Sequence, residues 1–273
     1  RTEAAIEDAV NAGMYVLVDW HIHNTPSKYT TDAVAFFSHI SRKYGHLPNI
    51  IYEICNEPVA VSWSSGIKPY ANTVINAIRA NDPDNIIIVG TPNWSQDVDA
   101  AAQDPLSFSN VMYAFHYYAA THDFNTMKNK VETALNAGLA IFVSEWGSSD
   151  VGTSRSDFNV AKQWMDYMNL RKLSWVNWSL GNKDEASSIL KPRTPMSGPW
   201  ATTDLTADQI HEIGLAEVAR LQGEMQTIMT QVGFEGSLQE MFAFLKTDPW
   251  RVFRIMGEFV EGFDNLGDIS DGV

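Results

Sequence analysis

The chain has 273 residues, 45% of them hydrophobic and nine of them Trp, enough to bury a large core and unlike the composition of a disordered polypeptide. Its net charge of −14 argues against nucleic acid or an anionic membrane as partner, and no uncharged apolar run reaches the roughly 18 residues of a membrane span. Cys55 is the sole cysteine, which excludes an intrachain disulfide.

The opening stretch RTEAAIEDAVNAG (1–13) reads as an amphipathic helix without the apolar centre of a signal peptide. A chain that starts inside a structural element is expected to have lost its natural N-terminus. From there, strands are expected at 14–20, 49–57, 85–91, 111–118, 140–146 and 173–179, and helices at 32–45, 68–82 and 126–138. Strands this continuously apolar suit a parallel sheet covered on both faces, with helical crossovers. Polar and aromatic residues gather at the C-terminal ends of these strands: Trp20-His21, Asn56-Glu57, His116 and Tyr118, Glu145-Trp146, and Trp178. Barrel enzymes build their sites there, and no Gly-rich turn follows the first strand as a doubly wound sheet would favour. The expected fold is therefore α/β of the (β/α)8 TIM-barrel type, with six of eight units evident over residues 1–203. If two strands are missing, the segments 14–20 and 173–179 become open edges.

Near Pro199 the pattern changes. Residues 204–273 hold 13 acids against four bases, a net −9, while residues 1–203 carry −5; they are expected to form a helical extension of separate origin. Ile210, Val218, Leu221, Met225, Ile228 and Val232 recur mainly at helical intervals and Gly233 is a stop signal. Ser237 and Glu240 have capping-box spacing, and a third helix is expected over 249–266. The stretch HEIGL has Leu215 where a zinc-binding HExxH needs its second His, so neither metal nor cofactor is inferred.

Two acids close apolar strands, Glu57 and Glu145. A buried acid without a partner is costly, so each needs a function or a neighbour. In a completed barrel they would end the fourth and seventh strands and face each other obliquely across the mouth. Two carboxylates over a cleft can cleave a glycosidic bond, one protonating the leaving oxygen and the other attacking or activating water. His116 and Tyr118 share a face at period two, and His21 joins them, whereas His23 is expected to face solvent. Trp178 offers an indole on which a pyranose ring can pack. Trp94 and Trp63, in loops, are further platform candidates, while Trp175 is expected to pack and Cys55 to be a small buried apolar residue.

The NEP motif at Asn56-Glu57-Pro58 and SEWG at Ser144–Gly147 resemble the signature motifs of glycoside hydrolase family 5, the cellulases. DWHIHN, NIIYEICNEP, YANTVINAIRANDPDNIIIVGT, WSQDVD, NVMYAFHYYAATH, IFVSEWGSSD, SWVNWSL and SSILKP follow in the family's order over residues 1–200, nearest to bacterial endo-β-1,4-glucanases. The resemblance implies a secreted, retaining enzyme acting on β-1,4-glucan, with Glu57 as acid/base and Glu145 as nucleophile. A retaining pair lies about 5–5.5 Å apart, where an ionised Glu145 favours a proton on Glu57 and its glycosylation removes that influence. It further implies Asn56 at the sugar 2-hydroxyl, His21 and His116 at sugar hydroxyls, and Tyr118 near the nucleophile. Trp178 would lie beneath the sugar next to the scissile bond, and Lys183 and Glu185 would bind sugar further away. Lys183 and Glu185 also read as a solvated charge pair. The family's arginine on the second strand, which contacts the nucleophile, and a histidine on the first have no counterpart here. Residues 204–225 and 236–249 are similar to a bacterial zinc-peptidase-like family, and 250–266 to lysine-decarboxylase-like nucleotide hydrolases, as a fused or spliced reading frame would give. Alternatives are a mannanase or lichenase, a non-catalytic glucan-binding remnant, and a helical interaction module. The sequence does not specify an oligomeric state.

Overall fold

The structure, a computed structural model, describes residues 1–151 and 155–195 and, beyond them, residues 223, 226–227, 229–231, 233–237 and 240–241. The chain divides into two compact units, Arg1–Asp204 and Leu205–Val273.

In the first unit all six expected strands form: β1 (Val16–Asp19), β2 (Ile50–Glu53), β3 (Ile87–Val89), β4 (Val111–Tyr118), β5 (Ile141–Gly147) and β6 (Ser174–Asn177). They make one parallel sheet in chain order, curled into a half-barrel. β1 and β6 are its two outer strands and do not pair with each other, so the described residues leave the barrel open along 14–20 and 173–179, as expected.

The helices are α1 (Thr2–Asn11), α2 (Thr30–Tyr44), α3 (Lys68–Arg79), the short α4 (Pro92–Ser95), which is a turn with Asn93 and Trp94 outside the right-handed helical region, α5 (Val98–Ala102), α6 (Phe124–Asn136) and α7 (Phe158–Arg171). The sequence reading did not anticipate α7, although its buried residues Ala161, Trp164, Tyr167 and Met168 have helical spacing. The Asp157 side chain caps it, accepting from Asn159 N and Val160 N at 3.1 and 3.0 Å, and Lys172 ends it in the left-handed region.

Side chains sort by strand period. One face of the sheet packs against the helices in the main core, which includes Tyr52, Ile54, Phe115, Tyr117 and Val143 together with Phe37, Val74 and Trp164. The other face carries a smaller apolar cluster contributed by strands and their margins: Ile88, Ala114 and Phe142, flanked by Leu17, Ile51, Ile86 and Met112. Continuing this inner face by two residues reaches Asp19, Glu53, His116 and Ser144. The polar site thus sits on top of the inner cluster, at the C-terminal ends of the strands.

Gly90, just past β3, lets this top layer close. A Cβ there would lie 2.2 Å from Cys55 O and 2.9 Å from both Asn56 O and Pro58 Cδ. The obstacle is mostly backbone, so Gly90→Ala must displace the turn that carries Asn56 and Glu57. We expect it to cost at least about 2 kcal/mol of stability, as overpacking does, read as a lowered urea midpoint with an unchanged slope.

In the second unit the capping box forms. Glu240 Oε2 accepts from Ser237 N at 2.6 Å, and Ser237 Oγ accepts from Glu240 N at 3.2 Å. Gly233 adopts a φ of +65°, as its part in ending a helix requires. Ile210, Val218, Leu221, Met225, Ile228, Val232, Leu215 and the 249–266 segment lie outside the described residues.

Candidate active site

A groove at the strand ends is lined by His21, His23, Glu57, Asn93, Trp94, Gln96, His116, Tyr118, His122, Glu145, Val151, Trp178, Lys183, Glu185 and Ser187. Of the candidates raised from the sequence, Glu57, Glu145, His21, His116, Tyr118, Trp178, Lys183 and Glu185 are all in that lining. Asn56 is not: it is buried just beneath, with Nδ2 lacking a hydrogen-bond partner.

Glu57, His116 and Glu145 each bring a polar side-chain atom within 4.8 Å of the others. His116 Nδ1 is 3.0 Å from Glu57 Oε1, and Tyr118 donates to Glu145 Oε1 at 2.6 Å. Such a trio could in principle hold a cation, but these hydrogen bonds already occupy Nδ1 and one oxygen of each acid. Burial disfavours the charged carboxylate of Glu145 and raises its pKa above the ordinary 4.5. His116 and the Tyr118 hydroxyl act against that rise, and Glu57 adds to it. Burial also resists charge on His116, yet Glu53, 3.7 Å from Nε2, the hydrogen bond to Glu57 and the negative charge of Glu145 push its pKa up to about 10.

His21 stacks on Trp178 with rings 5.4 Å apart and 6° from parallel. Its Nδ1 meets Asp19 Oδ2 at 2.7 Å, and that hydrogen bond raises its pKa against the opposing effect of burial. The Trp178–Ser179 peptide bond is cis. Lys183 and Glu185 stand 3.9 Å apart at the groove, Lys183 mostly in water and Glu185 largely covered, so they form a charge pair and line the groove as well.

Across the groove, Trp94 is 46% exposed. Asn93, Trp94 and Ser95 all have φ near +55°, a region that costs non-glycine residues about 1–3 kcal/mol each. The backbone is held there by Trp94 N donating to Pro58 O at 3.1 Å and Ser95 Oγ donating to Asn56 O at 2.6 Å. The strained turn therefore ties the exposed indole to the NEP segment.

Several sequence expectations need correction. Trp63 is no platform: it is 3% exposed, donates from Nε1 to Asp104 O at 2.7 Å and packs on Tyr113. Trp175 meets Trp146 edge-on but keeps 39% of its surface exposed, because it lies on an outer strand. His23 is half in solvent as expected, yet its Nε2 is 3.6 Å from Glu57 Oε2. Trp20 and Trp146 turn away from the groove, onto Phe36 and Phe37 and onto Tyr117. Cys55 is fully buried, and burial pushes its thiol pKa well up.

Residues missed from the sequence include His122, whose Nδ1 accepts from Tyr118 N at 2.8 Å, and the acids Asp19 and Glu53. Burial raises the pKa of Glu53. Asp19 and Glu53 are register partners on β1 and β2. The signal was present: each follows an inner-face apolar residue by two positions.

A curled parallel sheet that gathers two carboxylates and exposed indoles at its C-terminal strand ends has the organisation of a carbohydrate-cleaving barrel enzyme. Comparison with known proteins identifies the particular family. Residues 1–184 match the cellulase family, glycosyl hydrolase family 5, and the chain belongs to it. An endoglucanase of Clostridium saccharobutylicum is 48% identical over 205 residues, covering 74% of this chain and 46% of that protein. Endoglucanase A of Evansella cellulosilytica is 50% identical over 211 residues, covering 76% and 43%. The catalytic domain of Thermobifida fusca endoglucanase Cel5A, solved as a variant with cellotetraose, superposes with a TM-score of 0.71 at 37% identity, covering 76% of this chain and 70% of that one. The chain spans less than half the length of the two curated relatives. Residues 196–262 match a different family, described as a bacterial protein of unknown function, DUF885.

Proposed function

We propose that residues 1–203 act as a retaining, endo-acting β-1,4-glucanase, and that residues 204–273 are a separate helical extension. The observation that carries the reading is the approach of Glu57 and Glu145 oxygens to within 4.8 Å, the spacing of a double displacement and too short for the water-filled gap of an inverting pair. Glu145 attacks the anomeric carbon while Glu57 protonates the leaving oxygen; Glu57 then takes a proton from the water that releases the sugar. Tyr118 holds the attacking carboxylate and the Trp178 indole carries the ring beside the cut; Asn56, buried beneath the groove, is assigned the sugar 2-hydroxyl by the family resemblance. Glucan as substrate is supported by the named endoglucanase relatives and the cellotetraose complex of the T. fusca enzyme. Secretion is inferred from the same resemblance. Among the described residues, no helix is long and apolar enough to cross a membrane.

A second reading, glucan binding without turnover, draws on one observation: burial holds the proton on Glu145 more firmly than usual. Purified chain incubated with carboxymethylcellulose separates the two. Release of reducing ends together with a fall in viscosity supports the hydrolase; retention on cellohexaose without new reducing ends supports the binding protein. Faster turnover of mannan or mixed-linkage glucan would shift the substrate within the family.

A further inference from the structure

Beneath the acid pair lies a polar chain that neither glutamate's role explains. Glu53 is 2% exposed and His116 is 2% exposed. Ser144 Oγ is 2.6 Å from Glu53 Oε1 and 2.9 Å from His116 Nε2, and His116 Nδ1 is 3.0 Å from Glu57 Oε1. A serine hydroxyl has one hydrogen to give. The shorter contact, at the length of a bond to a carboxylate, assigns that hydrogen to Glu53. His116 Nε2 must then donate to Ser144 rather than accept from it.

The remaining choice is at Nδ1. A neutral ring with Nε2–H would accept there from a protonated Glu57. A ring protonated at both nitrogens would donate to Glu57 Oε1. The groups facing the ring favour the second: Glu53 on β2 lies 3.7 Å from Nε2, Glu57 touches Nδ1, and Glu145 on β5 is within 4.8 Å. Asp19 on β1 stands in register beside Glu53. All are acids. The groove's other histidines are His21, whose Nδ1 is engaged by Asp19 Oδ2, His23, whose Nε2 is 3.6 Å from Glu57 Oε2, and His122, whose Nδ1 accepts from Tyr118 N.

We propose that Glu53 is a positioning residue for Glu57: through Ser144 and His116 it holds an N–H donated to Oε1, leaving Oε2 as the oxygen that gives and takes the catalytic proton. This rests on the hydrolase reading only for the word catalytic; the geometry of the donor stands apart from turnover. The same positive ring favours the ionised form of Glu145.

The test is ¹⁵N NMR of the His116 ring in the full chain. Both nitrogens should be protonated from about pH 6 to about pH 8, above the ordinary histidine midpoint near 6.5. In Glu53→Gln, the midpoint should fall by at least about one unit. Ser144→Ala, which removes the relay but leaves the acid, should produce a smaller fall and serves if Glu53→Gln does not fold. If the chain hydrolyses glucan, Glu53→Gln should lower kcat at least about tenfold, move the basic limb of the profile to lower pH and leave KM within about threefold. Glu53→Asp should restore part of the rate. A singly protonated His116 at neutral pH in the parent chain, or an unchanged midpoint in both variants, overturns the proposal. A doubly protonated ring in a chain without turnover keeps the positioning role and overturns only the hydrolase reading.

Discussion

Glu145→Gln and Glu57→Gln should each lower kcat/KM on carboxymethylcellulose by at least about 10³-fold, and they should differ on activated substrates. An aryl cellobioside with a good leaving group needs no proton at the departing oxygen. Glu57→Gln should therefore still form the glycosyl-enzyme on it, in a burst followed by slow release, whereas Glu145→Gln forms none. Equal loss on both substrates would remove the division of labour between the two acids. The pH profile carries the sign of the Glu145 shift. Attack requires the ionised form, and burial raises its pKa above 4.5, so the acid limb of kcat/KM should lie at higher pH than a free glutamate gives. Stability should move the opposite way. Because the folded pKa is raised, the ionised acid opposes folding at pH above the unfolded value, and that penalty fades as pH falls. Glu145→Gln keeps an oxygen for the Tyr118 hydroxyl and removes the buried charge. Its thermal midpoint should rise at neutral pH and rise less near pH 4, measured by calorimetry.

The six strands and the convergence of their ends were legible because each strand is a short apolar run bounded by turn residues, and the rim residues interrupt that pattern visibly. Glu57 and Glu145 stand out for this reason, at the ends of ICN and FVS. Glu53 was hidden by the same logic: it interrupts the run IIYEIC in the middle, and only the inner-face period that also contains Ile51 assigns it to the site. Loop aromatics were the hardest to read. Trp94 and Trp63 look alike in sequence, and what separates them is tertiary: a left-handed turn lifts the first into the groove, while Asp104 O draws the second inward. His23 reads as solvent-facing because nothing local shows that the segment after β1 folds back toward Glu57. Its Ile22 carbonyl accepts from Glu57 N at 3.0 Å, a contact made only once β1 and β2 are side by side.

The helix that escaped the sequence reading also supplies the second large effect. Trp164 on α7 is fully buried. It stacks on Tyr117 at 4.2 Å, meets Phe115 at 5.6 Å, and receives Phe124 and Tyr167 edge-on at 4.9 and 5.8 Å. Tyr117 in turn stacks on Trp146, the residue after Glu145. One indole therefore joins α6 and α7 to the two strands that carry His116, Tyr118 and Glu145. Trp164→Ala should cost about 3–5 kcal/mol, the range for emptying a buried aromatic position. Trp164→Phe should cost less, since it keeps a ring for the stack and removes an indole N–H that has no partner. Urea unfolding followed by far-UV circular dichroism reads both. Turnover by the surviving folded fraction should also fall in Trp164→Ala, because the cavity opens directly behind the β4–β5 pair. A Trp164→Ala chain as stable as its parent would mean that α7 does not buttress these strands.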